Sequence, residues 1–493
     1  MLRRDSGCAA ASPRTSRRPA SRLSFANWTR CALPEQRPVS HSPGQWSGRA
    51  GLIFATVGSA VGLGSIWKFP YEVGENGGGA FVLIYAVGLL VVVLPLMLAE
   101  FVIGRRGGGD AMASIRRLAE AAGEAAGWRW LGALMLAAGF AILSYYAVIG
   151  GLTLAYGAQA MGVGFGGLDA PGAARLFAAR SGDPLELAGW HALFMALTVA
   201  IVARGIERGI EAACRLLMPV LAAIMLLLAL HGAASGEFAR TAEFLLAPRL
   251  EAMTTRAALE ALGLGFFSIG VGLGVLLTYA AHAPPGTLLG TVALATLAGD
   301  TAISLLAGFA VFPLAFAHGL DPAAGTSLIF LTLPIAFGQI ASGGRIGGAF
   351  FAALALAALA SAIALLELVV APAIRWTGWS RPTAAMAVGL ACWVAGLPSA
   401  LSFGLWREVR PLGFLPGFAD AGILEALDRV TSNLALPLAG FLLAIFAARL
   451  LGARTLAAEL GWPPRRLAAL RALLGWGVPG LILAVAALGH LPR

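Results

Sequence analysis

Gly58-Ser-Ala-Val-Gly-Leu-Gly-Ser-Ile-Trp-Lys-Phe-Pro70 decides the fold, because its Val61-Gly-Leu-Gly64 core returns as Val271-Gly-Leu-Gly274 in a second apolar run. Each copy sits within a stretch long enough to cross a bilayer. Glycine inside a helix costs about 1 kcal/mol relative to alanine, so two such clusters in corresponding segments predict helices broken in mid-membrane. Backbone released at that depth must line protein or a water-filled cavity, where it offers amides to anions and carbonyls to cations.

Composition agrees with a membrane setting. Of 493 residues, 58% are hydrophobic and 12% charged, which predicts an all-α polytopic membrane protein. Apolar runs centred near residues 60, 91, 145, 195, 220, 268, 302, 358, 392, 438 and 478 give about eleven spans. A long segment containing Asp321-Pro322 and Gly343-Gly344 separates the seventh from the eighth. The net charge of +10 does not point to nucleic acid, because the arginines cluster in alternate loops. Arg105, Arg106, Arg116 and Arg117, then Arg204, Arg208 and Arg215, then Arg449, Arg454, Arg465 and Arg466 all fall on one side. Positive-inside bias makes that side, and the N-terminus, cytoplasmic. Glu237, Glu243, Glu251, Asp420 and Glu425 lie in the loops assigned outside.

Residues 1–44 are rich in Arg, Ser, Pro and Ala without a continuous apolar core, which reads as a disordered cytoplasmic tail and not as a signal peptide. Residues 45–493 then form a single domain. Cys8, Cys31, Cys214 and Cys392 have no metal-ligand spacing. The six histidines pair with neither one another nor an acid at helical spacing, so no metalloprotease motif exists; the chain is not read as an enzyme.

Few ionisable residues fall within the apolar runs, and each costs at least about 2.5 kcal/mol at the bilayer centre unless partnered. Lys68, the chain's only lysine, lies one turn beyond the first break, where a snorkelling side chain is the plain alternative. Asp300 lies deep in Ala298-Gly-Asp-Thr-Ala302, either bonded to hydroxyls or kept ionised by a cation. Glu100 and Glu367 lie near span ends and read as interfacial acids. Ser59, Ser65, Ser268 and Ser361 bring oxygens to similar depth, the ligand chemistry a hard cation requires. A lone membrane serine usually bonds back to its own helix.

Trp46-Ser-Gly-Arg-Ala-Gly51, the Gly58–Pro70 block and Glu75-Asn-Gly-Gly-Gly-Ala-Phe81 closely resemble the neurotransmitter:sodium symporter family, in its bacterial amino-acid-transporter branch with the leucine-transporter fold. The similarity continues through Ser144-Tyr-Tyr146, Arg204-Gly-Ile-Glu-Arg-Gly-Ile-Glu211, Phe266-Phe-Ser268, Thr278-Tyr279 and Thr431-Ser-Asn-Leu-Ala-Leu-Pro437. The resemblance implies a five-plus-five inverted repeat, with halves at about 49–231 and 256–450, discontinuous first and sixth helices, and an extra eleventh helix at about 465–490. It also implies sodium-driven symport of a small amino acid by alternating access in the bacterial cytoplasmic membrane. The partners are then the amino acid, sodium and the lipid bilayer, with sodium as coupling ion and no other cofactor.

By the same resemblance, the substrate carboxylate meets the amides of Leu63 and Gly64 and the Tyr146 hydroxyl. Carbonyls of Ala60, Phe267 and Ser268 hold its amino group. Gly62 stands where amine-transporting members carry an aspartate, so the substrate brings its own carboxylate. Ile142, Phe267, Leu273 and Leu365 line the side-chain pocket, and Gly270 replaces a common serine. An apolar or aromatic side chain is favoured, because a polar one would need a buried partner.

One sodium site takes the Ala60 carbonyl, Ser65, Ser268 and Asp300, although a one-residue shift of the alignment would bring Gly299 there instead. The fixed charge of Asp300 makes chloride dispensable or adds proton coupling. A second site takes carbonyls of Gly58, Val61 and Ala357 with Ser361, and Ala360 replaces a usual threonine. The outer gate comprises Lys68, Phe267 and Asp428, with lysine in place of arginine. The inner gate is altered: Pro43, Arg375 and His282 stand at the places of an arginine, its acidic partner and a tyrosine. Arg37 would be repelled by Arg375, so weak closure on the cytoplasmic side is expected. Those missing charges also admit a non-transporting amino-acid-binding sensor, and Asp300 a proton-coupled carrier, as alternatives.

Overall fold

A computed structural model describes residues 44–124, 126–234, 236–321, 328–340 and 342–488. The expected tail, with Cys8, Cys31, Arg37 and Pro43, lies outside the described residues, as does Pro322. The described chain is helical, without strands. Its helices are α1 (Arg49–Ala60), α2 (Gly64–Glu75), α3 (Gly79–Gly107), α4 (Ala111–Ala121), α5 (Arg129–Met161), α6 (Ala170–Gly182), α7 (Pro184–Val202), α8 (Ile206–Ala233) and α9 (Phe238–Leu246). Then follow α10 (Thr255–Ile269), α11 (Val275–Ala280), α12 (Leu289–Ala317), α13 (Leu328–Gly338), α14 (Gly343–Thr377), α15 (Arg381–Leu401), α16 (Ile423–Leu450), α17 (Ala453–Leu460) and α18 (Pro464–Val485).

Nine of these are long and apolar enough to cross a membrane, and α1 with α2 makes a tenth span bent by 52°. This bend and the interruption between α10 and α11 fall on the two Val-Gly-Leu-Gly copies. After Ala60 the chain turns extended at Val61, with ψ of 101°, and re-enters helix at Gly64. At the second copy, Gly270, Gly272 and Gly274 all have positive φ. Gly272 is required twice over, since its φ is +90° and a Cβ there would stand 3.1 Å from the Gly440 amide of α16.

The spans are broken elsewhere for a different reason. In α3, Pro95 has no N–H to donate, and the turn before it, Leu89–Val93, widens to a π-helix. Short helices α6, α9 and α13 occupy segments that hydropathy reads as loops. Asp169 caps α6 by accepting from the Gly172 amide at 2.7 Å. Phe330 of α13 packs edge-on against Trp67 of α2 and Tyr156 of α5. The longest span, α14, packs chiefly on α5 at the centre of the bundle, and α1 lies between α8, α12 and α14.

Candidate functional site

The breaks in α1–α2 and α10–α11 face one another around a cavity of about 50 Å³, lined also by α5 and α14. Nine of the ten expected substrate residues line it: Leu63, Gly64, Ile142, Tyr146, Phe267, Ser268, Gly270, Leu273 and Leu365. Ala60 is buried just beneath, in the last turn of α1. Of the adjacent tyrosines, Tyr146 enters the site, where its hydroxyl accepts from the Leu63 amide at 3.1 Å. Gly62 is confined here: a Cβ would approach Ser361 Oγ to 2.5 Å and Tyr146 Oη to 2.8 Å. The cavity admits only a few waters at its present size. A ligand of amino-acid size therefore needs its walls to part, and Phe267 is the half-buried large side chain among them, beside half-buried Ser59 and Gly270.

Asp300, on α12, is wholly buried beside the first break. Its Oδ1 accepts from Ser65 Oγ at 2.5 Å and from Ser268 Oγ at 3.0 Å, and its Oδ2 accepts from Tyr85 Oη at 2.9 Å. Ser65 and Ser268 lie 3.1 Å apart. The structure thus brings Asp300 to the site, while Gly299 faces Val57. Nothing in the sequence marks Tyr85, since it lies 215 residues from Asp300 in an otherwise apolar run. On the other side of α1, Ser361 Oγ lies 3.2 Å from the Ser59 carbonyl, 3.3 Å from that of Val61 and 3.5 Å from that of Gly58. One hydroxyl has one proton to donate, so these oxygens form a half-shell richer in acceptors than in donors. Ala357, one turn before Ser361, is buried with it. Ala360 fills the threonine position, and beside it Cys214 Sγ would meet a Cβ on Gly58 at 3.2 Å.

Several expectations need correction. Lys68 and Asp428 do not form an ion pair among the described residues. Lys68 Nζ instead lies over the Phe267 ring, 4.7 Å from its centroid. Asp428 accepts from Tyr145 Oη at 3.0 Å and Ser432 Oγ at 2.8 Å. A lysine's compact point charge lacks the planar, bidentate fork with which arginine would span to a carboxylate. Glu100 is not interfacial. It is wholly buried and accepts from the amides of Gly272 at 2.6 Å and Leu277 at 3.3 Å, satisfying donors that the second break releases. Glu367 is likewise buried, paired with Arg381.

The side that the arginine pattern assigns to the cytoplasm is fastened more firmly than the altered gate residues imply. Arg375 is held by Asp110, with contacts of 2.6 and 3.2 Å, while Arg37 lies outside the described residues. Trp46 Nε1 donates to the Tyr279 carbonyl at 2.9 Å. The Ser47 amide donates to Glu211 Oε2 at 2.8 Å, and the Ser47 hydroxyl bonds the same carboxylate. Arg215 closes the triad at 2.8 Å from Glu211 and 2.9 Å from Ser47 Oγ. Gly51 makes room, since a Cβ there would overlap the Glu211 carboxylate. His282 adds no charge at neutral pH, because burial holds its imidazole below the usual value. Glu211 ends a quoted motif and Arg215 belongs to a charge cluster, but nothing in the sequence joined them to Ser47.

The profile of the sodium:neurotransmitter symporter family matches residues 43–165 and 185–406. The chain belongs to the sodium:neurotransmitter symporter family. It is a multi-pass membrane transporter and not an enzyme. It is 33% identical over 428 residues to YhdH, a sodium-dependent transporter of Bacillus subtilis, covering 87% of this chain and 91% of the relative. A sodium-dependent transporter of Haemophilus influenzae is 30% identical over 412 residues, covering 81% and 88%. Among solved structures, MhsT in complex with L-phenylalanine superposes with a TM-score of 0.82 at 37% identity, covering 90% of this chain and 99% of MhsT. These likenesses support the amino-acid-transport and leucine-transporter-fold readings at the level of the family.

Proposed function

We propose that this transporter couples sodium entry to uptake of a small apolar or aromatic amino acid, by alternating access across a bacterial cytoplasmic membrane with the N-terminus inside. The observation that carries the reading is the Tyr146–Leu63 contact at the mouth of the first break, set in a pocket that Ile142, Phe267, Leu273 and Leu365 line with apolar side chains. A substrate carboxylate would take the place of Tyr146 as acceptor for the Leu63 amide and would accept from the Gly64 amide as well, and the Tyr146 hydroxyl would turn to donate to it. The carbonyls of Ala60, Phe267 and Ser268 would take the ammonium group. The bound L-phenylalanine of MhsT supports the substrate class.

Sodium would enter at two places. One is bounded by the Ala60 carbonyl, Ser65, Ser268 and Asp300, and the substrate carboxylate completes it. That shared ligand links ion to substrate. The other is bounded by carbonyls of Gly58, Val61 and Ala357 and by Ser361. Two five-span halves, about 49–231 and 256–450, would be related by inversion, α10 with α11 making the sixth of eleven spans and α18 standing outside the repeat. Binding of labelled amino acids to purified protein in sodium against potassium tests the reading, with sodium-dependent retention of phenylalanine-like or aliphatic amino acids expected. A flat panel in both salts sinks it. The buried carboxylate of Asp300 among three hydroxyls also favours a second reading, a proton-coupled carrier, which uptake driven by a pH gradient in sodium-free buffer would select.

A further inference from the structure

One carboxylate at the cytoplasmic end of the molecule holds together parts of the chain that the proposed cycle must move. Glu459, near the end of α17, lies between two consecutive arginines of α3: Arg105 Nη1 is 3.1 Å from Oε2 and Arg106 Nε is 2.6 Å from Oε1. Only 11% of its side chain is exposed, against 18% and 28% for the arginines. Arg105 does not stop there. Its Nη2 donates at 2.7 Å to the Thr287 carbonyl, in the loop that joins α11 to α12. The chain just beyond Glu459 reaches the first turn of α12, where that loop ends. Gly461 turns it with φ of +66°, and the Trp462 indole then covers Gly290 so closely that a Cβ there would lie 3.0 Å from Nε1.

The same stretch of α3 also grips the second break. Glu100 accepts from the Gly272 and Leu277 amides, and Gly104 lies so close that a Cβ would overlap the Leu277 carbonyl. Within two turns, α3 therefore touches the break, α11, the following loop and α17. Any displacement of α11 relative to α16 and α18 must either carry α17 along or break the Glu459 contacts. Breaking them leaves two adjacent, partly buried guanidiniums sharing no counter-charge, which is far costlier than losing an exposed pair.

We propose that Glu459 is a positioning residue: it ties the C-terminal helices, through Arg105 and Arg106, to the inner half of the broken sixth segment and so sets how fast the cytoplasmic side opens. This rests on the transport reading above. The test uses the full-length protein in proteoliposomes, with L-phenylalanine as probe. Glu459→Gln keeps the shape and removes the charge. Turnover should change by about fivefold, the low end of coupling between linked elements, while phenylalanine affinity stays near wild type and only the melting temperature falls, as two partly buried guanidiniums lose their counter-charge. Thiol labelling of Ala283→Cys in the α11–α12 loop should rise in that background. Glu459→Asp should recover part of the effect, and the exchange Arg106→Glu with Glu459→Arg should recover more than either single change. Unchanged turnover and labelling in Glu459→Gln would overturn the proposal. So would a parallel loss of affinity and melting temperature, which marks a purely structural pair. Absence of phenylalanine binding in the wild type would count against the transport reading instead, while loop labelling would still judge the clamp.

Discussion

Tyr146 and Gly62 make the sharpest claims on single atoms. Tyr146→Phe removes a hydrogen bond to a charged group, a loss of about 1.5–3 kcal/mol, so phenylalanine binding should weaken by at least about tenfold with the melting temperature little changed. Gly62→Ala should abolish binding, because the added methyl occupies the space between Ser361 and Tyr146; wild-type affinity in that variant would place the ligand elsewhere. At the ion sites, Ser361→Ala should raise the sodium concentration for half-maximal uptake. Asp300→Asn should make uptake chloride-dependent, read by replacing chloride with gluconate. Which of these residues could be foreseen follows from how their positions are encoded. Tyr146 and the glycines sit in local motifs, so the resemblance carries them over directly, whereas Asp300 hangs on the alignment of its helix, where a one-residue shift brings Gly299 instead. Tyr85 and the true partners of Lys68, Asp428 and Arg375 depend on where remote helices bring their side chains, and a spacing along the chain does not contain that.

At the scale of helices, the two breaks are held differently. The first relies on hydrogen bonds from Ser65 and Ser361 across to α12 and back to α1, groups that an entering cation would rearrange. The second is capped by the fixed carboxylate of Glu100. Gly272→Ala should therefore cost about 1–3 kcal/mol, the range for a strained left-handed residue, before any contact with α16 is counted, visible as a lower melting temperature. The cytoplasmic fastening is testable separately. Glu211→Ala frees both Ser47 and Arg215. In protein where Cys214 is the remaining thiol, its labelling by a membrane-impermeant maleimide from the cytoplasmic side should rise above the low rate expected of a fully buried residue. Existence of the helices was legible from hydropathy and proline. The short connecting helices α6, α9 and α13 were not, because their apolar faces are too brief to register as spans and their packing partners lie elsewhere.

Across the whole molecule, ion binding should appear as stability. A ligand at 100 times its dissociation constant adds about 2.7 kcal/mol to the state that binds it, so the melting temperature should rise in sodium over potassium and again when phenylalanine is added with sodium. Phenylalanine should add little in potassium if its carboxylate completes the ion shell. The family and its breaks are readable along nearly the whole chain, whereas the strength of closure at either end is not, since it depends on contacts such as Arg375–Asp110 and Ser47–Glu211 between residues far apart in sequence. Lys68 offers a last handle on that closure. It holds the single side-chain primary amine of a protein whose other basic residues are arginines and histidines, and it rests on Phe267 at the roof of the pocket. An amine-selective acylating reagent applied from outside thus meets one target on the folded transmembrane body, and the rate of its modification becomes a chemical clock for how often the roof lifts.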